Sequence, residues 1–600
     1  MKKKLFFPSL RVLFGGVFFF GILLVWTSFQ SYETIASLLN KFADDGSFES
    51  FTLARFQALK IPLLFVGLLF SVIATLALAW WRKTQEYLDR LFKQAWEFNN
   101  LFLQDARTFF RDIRDAFVRL GRLDAIILTG LMAAAAAIRL AELNIPLIAD
   151  EAYTYNAFAS KSLWQTVSDY HLPNNHVFLS VMINLITHLF GNQVWLIRLP
   201  TLIAGVLMVP AAYFLAQRLY GRDVAVLSAA LVTVYPILVT YSVLARGYGI
   251  ISLITLLILI LGDRVLGSKD HFAWFLLIVL SAVGFYTVPI MLFPFGALYL
   301  WLFMSHVIDE PGPYRSKWEF SRYWLTGGFA SALLTVVLYA PILIKDSDRF
   351  FKNKFVAPLG SDMLLDSLWS RIQVTWLEWT FSVPGWAAVL GVIGLILGLV
   401  FHNRISKQKI IPLQLAFLIW IAVVLVILRP DMKPRMWLLL VAPLLIWSAS
   451  GLVGVLQWLS GAFRRNVPLA RIFTIVMAFL VLLFGLNTVP TIPNRWSQKS
   501  SYERTVIYLK DHLREGDLVN ASTDSLSQLR YYFGVYDIPL EYVRRSGKFQ
   551  RAFLAIGRET DTLEKIAPVD GSNRPLIDLK TARVVLEFDG LILYESYPAP

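Results

Sequence analysis

The feature that most limits how this chain folds is a series of apolar runs, each near the ~20 residues an α-helix needs to cross a hydrocarbon core. They fall at about 10–28, 60–81, 123–142, 193–217, 224–241, 248–266, 272–288, 289–306, 322–344, 384–401, 410–428, 436–459 and 470–490. Inside lipid every backbone N–H and C=O must find its partner within the segment, so such runs are read as helices. The expected architecture is an α-helical polytopic membrane protein with about 13 transmembrane helices. Composition agrees, with 56% hydrophobic and only 16% charged residues, against about 25% charged in a soluble domain. That excludes a soluble enzyme, a disordered chain and a fibrous protein. The chain has no cysteine, which excludes a disulfide framework, a thiol nucleophile and thiolate metal sites.

The formal net charge is +14. In a membrane protein such an excess orients loops and attracts anionic lipid, so no nucleic-acid partner is expected. With the N-terminal Met-Lys-Lys-Lys inside and the runs alternating, the inner connections hold 26 Lys and Arg and the outer ones 13. This asymmetry places 143–192 and everything after 490 on the extracytoplasmic side of a plasma (inner) membrane. The first run lacks a small-x-small cleavage site and is read as a retained anchor.

Four regions follow. Residues 1–82 form a two-helix membrane anchor. Residues 83–122 form a cytoplasmic basic segment with helical apolar spacing (Leu88, Leu91, Phe92, Trp96, Phe109, Ile113, Phe117). Residues 123–490 form the main bundle, in which 177–190 is too short and polar for a span and is read as an interface helix. Residues 491–600 change character. Helical spacing at 502–514 and 525–533 and short strands at 518–521, 553–556, 584–588 and 591–594 predict a small extracytoplasmic α/β domain.

Chemistry collects on the outer face. One connection carries Asp150-Glu151-Ala152-Tyr153 and then Asp169-Tyr170-His171-Leu172-Pro173-Asn174-Asn175-His176. Acidic groups beside a membrane often mark function, although two carboxylates also suit a helix N-terminus. A second connection holds Lys345, Arg349, Lys352 and Lys354, against the positive-inside trend. A bound phosphate is one reason for such cations, and lipid headgroups are the other. The loop from Arg429 to Arg435 adds three more. Arg246, at an outer helix end, is a candidate phosphate contact. Arg198 reads as a helix-start anchor.

The ordered set resembles the GT-C membrane glycosyltransferases, in the branch of protein O-mannosyltransferases and lipid A aminoarabinose transferases. The residues that carry it are Asp150-Glu151-Ala152-Tyr153, Asn174-Asn175-His176, Ile197-Arg198-Leu199-Pro200 and Tyr241-Ser242-Val243-Leu244-Ala245-Arg246-Gly247-Tyr248. The resemblance covers roughly 123–345. It implies a GT-C-like bundle that moves a sugar from a polyprenyl-phosphate carrier to a lipid, glycan or protein acceptor on the outer face. It implies catalysis by Asp150, as general base, with Glu151 beside it. His176, Asn174, Asn175, Arg246, Lys345, Arg349, Lys352 and Lys354 are the expected donor-phosphate and substrate contacts. The Pro-Pro that follows the mannosyl-type His is replaced here by Val177 and Phe178, and the Glu that would hold a metal has no match. A divalent metal therefore has no identifiable ligand set, and the sugar is unnamed. The alternative is a transporter or flippase of a lipid-linked sugar. Such proteins often show repeated halves and broken helices, and the sequence displays neither. A non-enzymatic membrane assembly protein would not need the Asp-Glu/His cluster.

Overall fold

The computed structural model describes the chain apart from residues 1–2, 42–50, 309–311, 346–349, 351–357, 359, 361–363, 407–410, 463–467, 544–548, 558–560, 569–575 and 600. Three of the expected phosphate contacts, Arg349, Lys352 and Lys354, lie outside the described residues. The chain divides into two compact units, Met1–Asp105 and Ala106–Pro600.

In the first unit, α1 (Lys3–Phe29) packs along α3 (Leu53–Ala79), with the short α2 (Tyr32–Asn40) between them in sequence. Helix α4 (Trp81–Val118) is a single 38-residue helix with no buried residue, and the boundary between the units falls inside it. Its apolar residues recur at helical spacing, as the sequence predicted. At its C-terminal end Phe109 meets Phe272 and Phe117 meets Phe214.

The second unit is a helical bundle with a small sheet domain at its C-terminal end. Among the described residues of both units together, nine helices are long and apolar enough to span a membrane, two of them in the first unit. Two more segments qualify only as bent pairs, and 272–288 and 410–428 form the shorter helices His271–Thr287 and Leu413–Leu428. Every apolar run is thus helical, but the runs are not 13 straight spans. The sequence reading saw no broken helices, and that is corrected. Helix α10 (Arg222–Val234) bends by 60° into α11 (Pro236–Ser242), and 367–380 meets Gly385–Val400 at 118°. The first break has a local cause. Pro236 has no N–H to give the carbonyl of Val232, four residues back. The buried guanidinium of Arg139, on α5 (Arg122–Glu142), donates to the carbonyls of Val232 and Thr233 instead.

After α5 come the short helices α6 (Ala149–Thr154) and α7 (Leu163–Ser168) and the interface-type helix α8 (Val177–Phe190), and helix α9 (Val194–Leu219) is central, packing against α5, α8, α10, α11 and α12 (Tyr248–Gly267). Gly205 permits this. A Cβ there would collide with the Ser242 side chain and the Arg139 Nε. At the helix ends remote from the 143–192 loop, charges pair off: Arg222 with Asp124, Arg218 with Asp263, and Arg264 with Asp112 and Asp270.

The C-terminal elements match those predicted. They are α13 (Ser501–His512), β1 (Asp517–Ala521), α14 (Thr523–Val535), β2 (Arg551–Gly557), β3 (Arg583–Glu587) and β4 (Leu591–Ser596). The four strands form one sheet in the order β1-β2-β4-β3, with β1 and β2 parallel and the other pairs antiparallel. Alanine and leucine side chains of β1 and β2 are buried on both faces. The polypeptide enters this domain through Trp496, whose indole N–H donates to the carbonyl of Leu140, while Asn144 donates to the carbonyl of Trp496. The 143–192 loop and the C-terminal domain are therefore in contact and lie on the same side of the bundle.

A candidate carboxylate–guanidinium site

Asp150 and Glu151 sit in the first turn of the helix Ala149–Thr154, where their charge suits the dipole. The two adjacent carboxylates have opposite environments. Glu151 and Arg198 both have fully buried side chains. The guanidinium donates to Glu151 through Nη2 at 2.5 Å and Nε at 2.9 Å. Glu151 also accepts from the backbone N–H of Ile148 at 3.1 Å and of Ala245 at 2.5 Å. Arg198 spends its remaining donors on the carbonyls of Leu143, Ile145 and Pro146. Arg198 is thus the hub of the loop, not merely a helix-start anchor.

Asp150 is one-third exposed. Its Oδ2 lies 3.2 Å from Nη1 of Arg435 and 3.8 Å from Nη2 of Arg246. Its Oδ1 accepts from the Asn174 amide at 3.3 Å. Arg246 is almost wholly buried. It donates to Thr154 Oγ1 at 3.1 Å and to Asn174 Oδ1 at 2.9 Å, and its charge lies over the Tyr248 ring. The Nε atoms of both Arg246 and Arg435 are buried and, among the described residues, have no acceptor.

His176 is buried beside Arg246, and its Nδ1 accepts the backbone N–H of Gly247 at 2.7 Å. That bond leaves the ring proton on Nε2. Burial, with the charges of Arg246 and Arg435, pushes the imidazole well below its ordinary range, so it is neutral. Gly247 allows the approach, since a Cβ there would crowd Thr287 and the His176 ring.

The remaining expected contacts lie elsewhere. Asn175 donates to the carbonyls of Thr166 and Asp169 and so braces the loop from within. Lys345, at the end of the helix Lys317–Lys345, is 3.4 Å from Ser168 Oγ and near Asp169. Asp169 in turn holds Nδ1 of His171 at 2.5 Å, and His171 Nε2 meets the Tyr153 hydroxyl at 2.8 Å. Burial alone would raise the Asp169 carboxyl. The bonds from His171 and the charge of Lys345 outweigh it and hold the carboxyl below its usual value.

The structure thus brings Asp150, Asn174, His176 and Arg246 of the expected set together. Sequence reasoning noticed the cations of 429–435 without assigning one to Asp150, and it did not see the Asp169–His171–Tyr153 chain. The available signal for Arg435 was its place on a short cationic outer connection. Among the described residues, no three His, Asp or Glu side chains lie close enough to share a metal ion.

Residues 176–344 match the family model described as dolichyl-phosphate-mannose-protein mannosyltransferase. The match begins at His176, so Asp150 and Glu151 precede it. The resemblance to GT-C glycosyltransferases is borne out by this match. No curated protein matches the sequence. Among solved structures, ArnT from Cupriavidus metallidurans in the apo state is 12% identical. That alignment covers 78% of this chain and 97% of that one, with a TM-score of 0.48. The same protein bound to undecaprenyl phosphate is 13% identical over the same shares, with a TM-score of 0.46. The arabinosyltransferase EmbB from Mycobacterium smegmatis is 14% identical over 73% of this chain and 44% of that chain, with a TM-score of 0.35.

Proposed function

Taking the chain as a membrane glycosyltransferase of the kind its matched segment resembles, we propose that it transfers a sugar from a polyprenyl phosphate to an acceptor hydroxyl, with Asp150 as general base. The observation that carries this reading is a partly exposed carboxylate flanked by two guanidinium groups, each with a buried Nε that lacks an acceptor among the described residues. Transfer makes two demands. The acceptor hydroxyl must lose its proton as its oxygen bonds to the anomeric carbon, and a carboxylate within hydrogen-bond reach takes that proton. The bond from the anomeric carbon to the phosphate oxygen must break, leaving the electron pair on the lipid phosphate. Fixed cations offset that charge.

In this reading Arg246 and Arg435 hold the donor phosphate, and Asn174 orients Asp150. Neutral His176 sets the Gly247 backbone and hence Arg246. Glu151 serves the catalytic carboxylate only by position, because its oxygens are committed to Arg198 and to two backbone N–H groups. Lys345, beside Ser168 and Asp169, is left out of the phosphate contact. The loop and the C-terminal domain lie on the outer face, where the acceptor is a lipid, glycan or protein.

The test is Asp150→Asn. Asn is as good a helix cap as Asp, so a capping role would survive the change. Loss of a positioned base costs about 10²–10⁴ in rate. Purified protein is given radiolabelled undecaprenyl-phosphate mannose, because the matched model is described by a mannosyl donor. Glucose and arabinose analogues follow, with envelope membranes as the acceptor source. Label should leave the organic phase with the parent chain, and Asp150→Asn should slow this at unchanged donor affinity. Full transfer by Asp150→Asn would reject the base assignment. Movement of intact donor across sealed vesicles without sugar release would favour the flippase.

A further inference from the structure

The six residues that carry Asp150 are too few to form a helix by themselves. Helix nucleation is costly, and isolated helices shorter than about 12–15 residues are marginal even in favourable sequences. On the N-terminal side the chain from Leu143 to Ile148 is irregular, and on the C-terminal side it widens into a π turn over Tyr155–Ala159. Something outside must fix the position of the carboxylate.

Two groups do so. The Arg198–Glu151 hub holds the helix from the bundle side. The other is α14 of the C-terminal domain, whose contacts with the segment span 371 and 381 residues of sequence. Gln528, buried on α14, donates its amide to the carbonyl of Leu147, three residues before Asp150. Its neighbour Ser527 accepts from the Asn156 amide at 2.8 Å, just after the helix. One turn on, the Tyr531 ring packs edge-on against Tyr155, and its hydroxyl donates to the carbonyl of Asn192 at 2.5 Å. Asn192 lies two residues before the start of α9, which carries Arg198. One face of one helix therefore grips both ends of the segment that bears Asp150, and also the start of the helix that bears its brace.

We infer that Gln528 is a positioning residue that acts through Asp150, and that the C-terminal domain is a clamp on the catalytic loop. The inference rests on the reading of Asp150 given above. Arg246 and Arg435, which hold the donor phosphate in that reading, are on other elements. Arg246 also bonds Thr154 at the end of the clamped helix, so loosening the clamp should slow turnover by a larger factor than it raises donor KM.

The experiment is a double-mutant comparison in the full chain with undecaprenyl-phosphate mannose, or whichever donor of the panel is turned over. Gln528→Met keeps the volume and removes the donor. We expect a fall in kcat of about tenfold with a smaller change in donor KM, since misplacement of a reacting group by ~1 Å can cost up to 10²-fold. Tyr531→Phe keeps the ring against Tyr155 and loses only one bond, and it should give a smaller loss of the same kind. In the Asp150→Asn background, Gln528→Met should cost nothing further. A fall of equal factor in both backgrounds, or a loss that follows the amount of folded protein, would overturn the inference while leaving the base assignment standing. If Gln528→Met does not fold, the same comparison with Tyr531→Phe decides. Full activity in Asp150→Asn alone would remove the base assignment itself.

Discussion

Two adjacent carboxylates, Asp150 and Glu151, differ in everything except type. A buried ion pair is retained only when both partners find further hydrogen bonds. Glu151 and Arg198 meet that condition through five backbone groups. Removing either partner would strand a buried charge at a cost of about 3–5 kcal/mol. Asp150 meets charge from one side and solvent from the other, and so its carboxylate is the accessible one. His176 lends itself to a pH test. Its folded-state pKa lies below the ordinary 6.5, so the unfolded chain takes up its proton first as the pH falls. The stability this neutral ring confers is complete above about pH 6.5 and declines below it, by up to about 1.4 kcal/mol per pH unit for one proton. The groups facing it are the Gly247 N–H, Arg246, Arg435 and the Tyr248 ring. In His176→Asn the amide oxygen replaces Nδ1 as acceptor and nothing titrates. The gap between parent and variant thermal midpoints in detergent should therefore shift against the parent between pH 7.5 and 5.5. A gap independent of pH would contradict the neutral, Nδ1-accepting assignment.

The elements that build the site are interrupted ones. The six-residue helix, the π turn and the α10–α11 break all place backbone groups where a regular helix would have none to offer. At the break, Arg139 supplies the donors that Pro236 withholds, and the chain is then free to turn through Ala245 and Arg246. This predicts a coupling. Arg139→Met leaves the carbonyls of Val232 and Thr233 unserved and should lower the thermal midpoint. Pro236→Ala restores an N–H to Val232 and should recover part of that loss. Groups that share one network typically couple by about 0.5–3 kcal/mol. If Arg139→Met is equally costly with and without Pro236→Ala, the arginine is not there to serve the break.

At the scale of the whole molecule, the contacts of Trp496, Gln528 and Tyr531 with the 143–192 loop join two regions that the charge asymmetry had placed together only by counting spans. Because the chain has no cysteine of its own, single cysteines report sidedness cleanly. Positions Ser162 and Asp589 are exposed and should label with an impermeant reagent in intact cells, whereas Lys83, also exposed, should label only after lysis. Labelling of Lys83 in intact cells would invert the orientation. Labelling at only one of Ser162 and Asp589 would be incompatible with the observed contacts.

The sequence by itself determined the class of molecule, the positions of its apolar helices and the elements of the C-terminal domain. Each depends on local requirements: a length that spans hydrocarbon, a period of 3.6 or 2, and a turn between strands. It also pointed to Asp150, because a carboxylate beside a membrane is costly and stands out. The resemblance put Asp150 ahead of Glu151, but nothing local to the sequence says why, since the difference lies in Arg198, 47 residues from Glu151, and Arg435, 285 residues from Asp150. Nor could hydropathy reveal that 224–241 bends, because Pro236 and its neighbours are as apolar as a straight helix requires. Only the tertiary structure decided which charges are buried and spent and which stay open to solvent. Ionic partners are chosen by proximity in space, and in this chain the proximities that matter cross the whole bundle.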